Sequence, residues 1–206
     1  MRKIILATNN PHKINEIKRL FKLYQFLTLK DIGFTDNIVE DGLTFEENAY
    51  IKAKAVYDFN KSHANLDCAV LADDSGLCVK AINYEPGIYS SRYSGEGDEG
   101  NRQKVLNKLL DINDRTAYMQ CYAVLIMPNG ETLTEEGKVY GSITKTKIGN
   151  DSFGYDCIFW SDKLHKTFGQ ATDDEKDSVS HRAIAMKKIK TYLDDINYKG
   201  LDDSEY

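Results

Sequence analysis

Hydrophobic and polar positions in this chain switch between a period of two and a helical period. From Lys3 to Thr8 the apolar run Ile4, Ile5, Leu6, Ala7 predicts a buried strand. Asn10 can then cap a helix opened by Pro11, with Ile14, Ile17, Leu20 and Phe21 at helical spacing. Phe26 to Leu29 predicts a second strand, and Asp36 to Gly42 reads as an acidic loop. Thr44-Phe45-Glu46-Glu47 fits a capping box before a helix whose small face is Ala49, Ala53, Val56 and Tyr57. Cys68 to Ala72 reads as a buried strand, Asp73-Asp74-Ser75-Gly76 as a glycine turn, and Leu77-Cys78-Val79 as renewed strand.

Further on, Pro86 to Gly95 is turn-rich and aromatic, and Glu96 to Asn101 is polar. Val105, Leu106, Leu109 and Leu110 mark a helix, and Ala117 to Met127 a long strand. Pro128-Asn129-Gly130 signals a hairpin, with Glu131 to Tyr140 returning antiparallel. Ser180 can cap a last helix carrying Ile184, Met186, Ile189, Tyr192 and Leu193. Parallel connections first and a hairpin later predict an α/β fold with a mixed sheet. With no repeat and no linker, residues 1–196 read as one domain, and 197–206 as an acidic, mobile tail.

Composition narrows the function classes. At 206 residues, 41% hydrophobic and 29% charged, the chain is an ordinary globular protein able to bury a core. The net charge of -5 offers no general attraction to nucleic acid or anionic membrane, so a polyanion must be held locally. No segment is long and apolar enough for a signal peptide or a membrane span, and a cytoplasmic location is expected. Cys68, Cys78, Cys121 and Cys157 are widely spaced in apolar surroundings, which predicts buried thiols rather than zinc or disulfides.

Five groups of residues suggest chemistry. Thr8-Asn9-Asn10-Pro11-His12-Lys13 joins a strand to a helix start, where amides, a hydroxyl and an ammonium can meet a phosphate, although ordinary capping explains Asn10 and Pro11. Asp73 and Asp74 are costly to desolvate without cations, and on that segment alone a polar turn and a metal site account for them equally well. Glu40 is the freer of the nearby acids, because Glu46 and Glu47 suit dipole and capping roles. Phe153-Gly154-Tyr155-Asp156 offers aromatic faces to a base, or to a core. Lys176, His181 and Arg182 bring cations to a helix start, which favours an anionic or purine ligand over a purely stabilising role, though Arg182 could equally lie on the surface.

Taken in order, these blocks resemble the inosine triphosphate pyrophosphatase family. The resemblance runs from Ile4 to about Leu193. It is carried by Thr8-Asn9-Asn10 with Lys13, Glu40 to Ala49, Ala72 to Leu77, Pro86 to Tyr93, Phe153 to Asp156, and Ser180-His181-Arg182. It implies an elongated mixed sheet flanked by helices, two lobes around a nucleotide cleft, a homodimer, and magnesium-dependent cleavage of ITP, dITP or XTP to monophosphate and pyrophosphate. By the same resemblance Asp74 is the general base and a metal ligand, Glu40 the second metal carboxylate, and Asp73 a supporting or secondary metal residue. Thr8, Asn9, Asn10, Pro11, His12, Lys13, Ser75 and Lys176 would contact the triphosphate, and Phe153, Gly154, Tyr155, Asp156, His181 and Arg182 the base. Asn9 stands where the family often has glycine, and Cys157 where it often has proline. The competing accounts are a pyrophosphatase for other modified nucleotides, as in Maf-like proteins, and a module that senses nucleotides without cleaving them.

Overall fold

The computed structural model describes residues 3–150 and 153–202. Its frame is a seven-stranded mixed sheet in the order β2-β1-β3-β4-β5-β6-β7. β1 (Lys3–Leu6) pairs in parallel with β2 (Gln25–Leu27) and β3 (Ala69–Val79). From β3 onward the pairing is antiparallel, through β4 (Thr116–Ile126), β5 (Thr132–Ile143), β6 (Phe159–Ser161) and β7 (Lys166–Thr167). The predicted hairpin joins β4 to β5, where the Met127 amide donates to the Glu131 carbonyl.

The pleat of β3 decides which helix meets which residue. Ala69 and Leu71 face one side of the sheet, where they pack with α1 (Pro11–Leu20) and α5 (His181–Asp202) through Ile17, Phe21, Met186 and Ile189. Val70 and Ala72 face the other side and pack on Ala49, Ala53 and Val56 of α2 (Phe45–Phe59). A third apolar cluster joins Leu77 and Val79 at the far end of β3 to Val105 and Leu109 of α3 (Gly97–Lys108) and to Phe159. Between Leu71 and Leu77, on the α1–α5 side, the strand offers only Asp73 and Ser75. A charged layer therefore separates two apolar bodies of one sheet.

Three expectations change here. The predicted turn at Asp73–Gly76 does not form: β3 runs unbroken, paired with β4 from Val70↔Ile126 to Val79↔Ala117. Cations satisfy the carboxylates within the fold, so the strand has no need to turn toward water. Gly76 serves close approach instead, because a Cβ there would lie 2.3 Å from Ser90 Oγ and 2.5 Å from the Gly87 carbonyl. The capping of α2 is also modified. Thr44 Oγ1 accepts from the Glu47 amide, but the Glu47 carboxylate reaches past Thr44 to the Leu43 amide. Finally, α3 begins at Gly97, inside the stretch read as a polar segment, since its first two turns carry no apolar stripe.

A further helix, α4 (Asp173–Val179), precedes α5 and is opened by a capping box between Thr172 and Glu175. Ser180 Oγ accepts from the Ala183 amide at the start of α5, as its position predicts. The backbone of α5 extends to Asp202, beyond Asn197 where the tail was expected, and residues 203–206 lie outside the described residues. All four cysteines are buried thiols.

Candidate active site

Asp74 points to the α2 side of β3, where it meets a buried lysine. Lys52 lies on the helix face of Ala49, Ala53 and Val56, and its ammonium bridges Glu40 Oε2 at 2.8 Å and Asp74 Oδ1 at 3.0 Å. Burial pushes the Asp74 carboxyl above its ordinary value, and the charges of Lys52 and Lys13 offset only part of that. Burial pushes Lys52 the other way, yet the charges of Asp74, Asp73 and Glu40 outweigh it and leave the ammonium harder to deprotonate than usual.

Asp73, one residue earlier, points to the opposite side. Its Oδ2 takes Lys13 Nζ at 3.1 Å and Arg182 Nε at 3.1 Å, with the Cys121 thiol at 3.8 Å. Burial alone would raise this carboxyl, but Lys13, Arg182 and Lys52 together hold it well below the usual carboxylate range. The remaining Arg182 nitrogens bind Glu16 and, at 2.9 Å, Ser75 Oγ. Glu16 in turn accepts from Lys176 at 2.7 Å, and Lys176 donates to Asp156 at 2.5 Å. The result is a buried chain of alternating sign, Lys13–Asp73–Arg182–Glu16–Lys176–Asp156. Burial opposes ionisation of Glu16, but Arg182 and Lys176 bring its carboxyl down to about 2.

The chain runs beside a cleft of ≈ 350 Å³ open to both its ends. Thr8, Asn9, Asn10, Lys13, Glu40, Asp74 and Ser75 line it, together with Phe153, Gly154, Tyr155, Asp156, Lys176, His181 and Arg182. Two expected substrate residues do not line it. Pro11 opens α1, and His12 lines an adjoining cavity and stacks on Phe153 with ring centroids 4.6 Å apart. The loop before α1 has partly spent its donors, because Asn10 Oδ1 already accepts the His12 and Lys13 amides at 3.0 and 3.3 Å. Lys176 sits 5.5 Å from the centre of the Phe153 ring. Arg182 is buried rather than on the surface.

His181 is fully enclosed, and burial together with the neighbouring Arg182 charge pushes its imidazole well below the ordinary value, so it is neutral at pH 7. Among the described residues its buried Nδ1 meets no hydrogen-bond partner, and neither does Asp73 Oδ1. A neutral imidazole with an unmet ring nitrogen in the wall of the cleft suits hydrogen bonding to a planar ligand.

The carboxylates also bear on metal binding. Among the described residues no group of three or more His, Cys, Asp or Glu side chains converges into an all-protein cage. Glu40 and Asp74 nevertheless share one cation, the Lys52 ammonium, and two carboxylates are the usual protein share for magnesium that completes its shell with water and phosphate oxygens. The donor set fits that ion.

Two central residues escaped the sequence analysis, Glu16 and Lys52. Both left a signal: Glu16 stands four residues before the apolar Leu20 and next to Ile17, and Lys52 three after Ala49 and four before Val56, so each is a charge beside the apolar positions of its helix.

Comparison with known proteins yields a consistent set of relatives. The model of the Ham1 family matches residues 4–192. The dITP/XTP pyrophosphatase of Clostridium perfringens is 43% identical over 199 residues, covering 94% of this chain and 98% of that protein. Its namesake in Staphylococcus epidermidis is 43% identical over 196 residues, covering 94% and 97%. Among solved structures, the Staphylococcus aureus Ham1 protein matches with a TM-score of 0.81 at 39% identity, over 94% of this chain and 98% of that one. The nucleoside-triphosphatase / dITP/XTP pyrophosphatase of Mycobacterium abscessus matches with a TM-score of 0.70 at 38% identity, over 91% and 98%.

Proposed function

The chain belongs to the Ham1 family, and on that premise we propose that it hydrolyses deaminated purine nucleoside triphosphates (ITP, dITP, XTP) to monophosphate and pyrophosphate, clearing them from the nucleotide pool. One observation carries the reading: a single cleft is lined by the charged groups of Lys13, Glu40, Lys52 and Asp74 and also by the aromatic ring of Phe153 and a neutral histidine. A nucleotide presents that same combination of charge and planar base.

In this mechanism Asp74 accepts the proton of a water that attacks the α-phosphorus in line with the departing pyrophosphate. A carboxyl raised by burial is a better base than an ordinary aspartate. Lys13 and Lys52 hold the phosphate charge, and Lys13 is aimed by its bond to Asp73. Magnesium, held by Glu40 and Asp74, would neutralise charge on the phosphate oxygens and polarise them. Asp73 is engaged with Lys13 and Arg182, which supports a positioning role for it over a metal role.

For the base, Phe153 would supply a stacking face, and His181 and Arg182, which line the same cleft, would be the donors to a 6-oxo group. Because the Arg182 nitrogens are committed to Asp73, Glu16 and Ser75, the unmet nitrogen of His181 is the freer polar group. A cytoplasmic location goes with work on free nucleotides, and buried cysteine thiols support a reducing compartment. Among the described residues no helix is long and apolar enough to cross a membrane. A homodimer belongs to the same reading. The aromatic cluster of Tyr84, Tyr118 and Tyr140, with Tyr84 and Tyr140 exposed, supports it, and light scattering on the purified protein tests it.

The function is tested by offering the protein with magnesium a panel of nucleoside triphosphates. ITP, dITP and XTP should release pyrophosphate at least tenfold more efficiently than ATP and GTP, a margin within reach of hydrogen-bond selection. Equal turnover of ATP and GTP would remove the pool-clearing role, and binding without turnover would favour the sensing module.

A further inference from the structure

The turn that carries Phe153 and Asp156 is gripped from α3, by Asp98 at the wall of the cleft and by Arg102 behind it. Asp98 and Arg102 stand one helical turn apart on α3 and hold the two polar backbone groups of a single residue. Asp98 Oδ2 accepts from the Gly154 amide at 2.7 Å, and Arg102 donates from Nη1 to the Gly154 carbonyl at 2.7 Å. Gly154 has φ +50, a left-handed conformation that leaves this backbone dependent on its partners. Arg102 is itself buried, and Glu99 fixes its other nitrogens at 3.2 and 2.9 Å. The clamp continues into the neighbouring segment, where the Tyr155 hydroxyl and the Asn101 amide both donate to the Ser90 carbonyl.

Nothing in the phosphate chemistry requires this arrangement, and a helix opening needs neither bond. Both bonds are charge-assisted, and they fix the peptide units on the two sides of Gly154. Those units fix the backbone from which Phe153 stacks on His12 and Asp156 reaches Lys176. A small tilt there would change which purine edge meets His181 while leaving Asp74 and Glu40 where they are.

We propose that Asp98 and Arg102 are positioning residues for base selection, acting through Gly154 rather than by touching the nucleotide. This rests on the reading of the cleft as a site for 6-oxo purine triphosphates. Steady-state kinetics with ITP and GTP test it. Asp98→Ala and Arg102→Met should each raise KM for ITP about tenfold, more than they lower kcat, and cut the ITP-to-GTP ratio of kcat/KM by a similar factor. Asp98→Asn keeps an acceptor for the Gly154 amide and should retain the wild-type ratio to within about twofold.

An unchanged ratio in Asp98→Ala would overturn the proposal. So would a loss in Asp98→Asn as deep as in Asp98→Ala, because charge and not the bond to Gly154 would then be at work. Should the truncated variants not fold, Arg102→Lys carries the test: a ratio lowered about threefold supports the clamp, and an unaltered ratio overturns it. Wild-type protein that releases no pyrophosphate from ITP would instead count against the functional reading.

Discussion

Asp73 and Asp74 are consecutive residues of one strand, and their carboxyls are driven in opposite directions. On the α1–α5 side Asp73 is enclosed with Lys13 and Arg182, which keep it ionised despite its burial. On the α2 side Asp74 shares one lysine with Glu40, and burial wins. Both are desolvated, so solvent exclusion alone does not separate them. The number of cations within reach does. One face of the strand is a fixed electrostatic frame, and the other keeps a carboxylate whose charge is only partly met and is thus available to a ligand or a proton.

That contrast can be broken residue by residue. Asp74→Asn should give the largest change: kcat for ITP falls about a thousandfold, within the range for losing a general base, while the thermal midpoint stays near wild type. A variant that keeps a tenth of wild-type turnover would remove Asp74 from its role. Asp73→Asn should reverse the pattern. Urea titration is expected to show a loss of about 3 to 4 kcal/mol, since Lys13 and Arg182 are left facing a neutral group in the interior. A stability loss under 1 kcal/mol would mean that the buried chain is not a frame.

Glu16→Gln probes the same frame through pH. A carboxyl ordinarily near 4.5 and lowered to about 2 in the fold contributes about 3 kcal/mol at pH 7 by linkage. With a depressed pKa this contribution is complete above the unfolded value and disappears as pH falls through the folded one. The gap between wild type and Glu16→Gln should therefore narrow from pH 4.5 down to about 2. Denaturant titrations at both ends would show it, and a gap that widened in acid would contradict the sign.

Gly76→Ala should have the smallest effect, a loss of about 1 to 3 kcal/mol from overpacking against Ser90 Oγ and the Gly87 carbonyl. A neutral result would show that the segment after β3 moves aside freely.

The sequence disclosed the two faces unequally. The helix starts at Asn10, Thr44 and Ser180 were legible because capping is local chemistry written in a few consecutive residues. The mixed sheet followed from run lengths and one hairpin. The acids drew attention through their apolar flanks, but their geometry was not visible. Whether Asp73-Asp74-Ser75-Gly76 turns or continues depends on β4 lying alongside and on cations supplied from α1, α2 and α5, all distant in sequence. Glu16 was hidden for the same reason: its partners stand 160 and 166 positions away. The start of α3, with Asp98 and Arg102, lacked an apolar stripe because its inward face meets the polar backbone of Gly154 rather than a core.

Water activated on the Asp74 face should attack the α-phosphorus. Hydrolysis of ITP with magnesium in water enriched in oxygen-18, followed by mass spectrometry of both products, tests it directly. Attack at the α-phosphorus gives inosine monophosphate carrying one labelled oxygen and unlabelled pyrophosphate. Label in the pyrophosphate, or inosine diphosphate with inorganic phosphate, would contradict it.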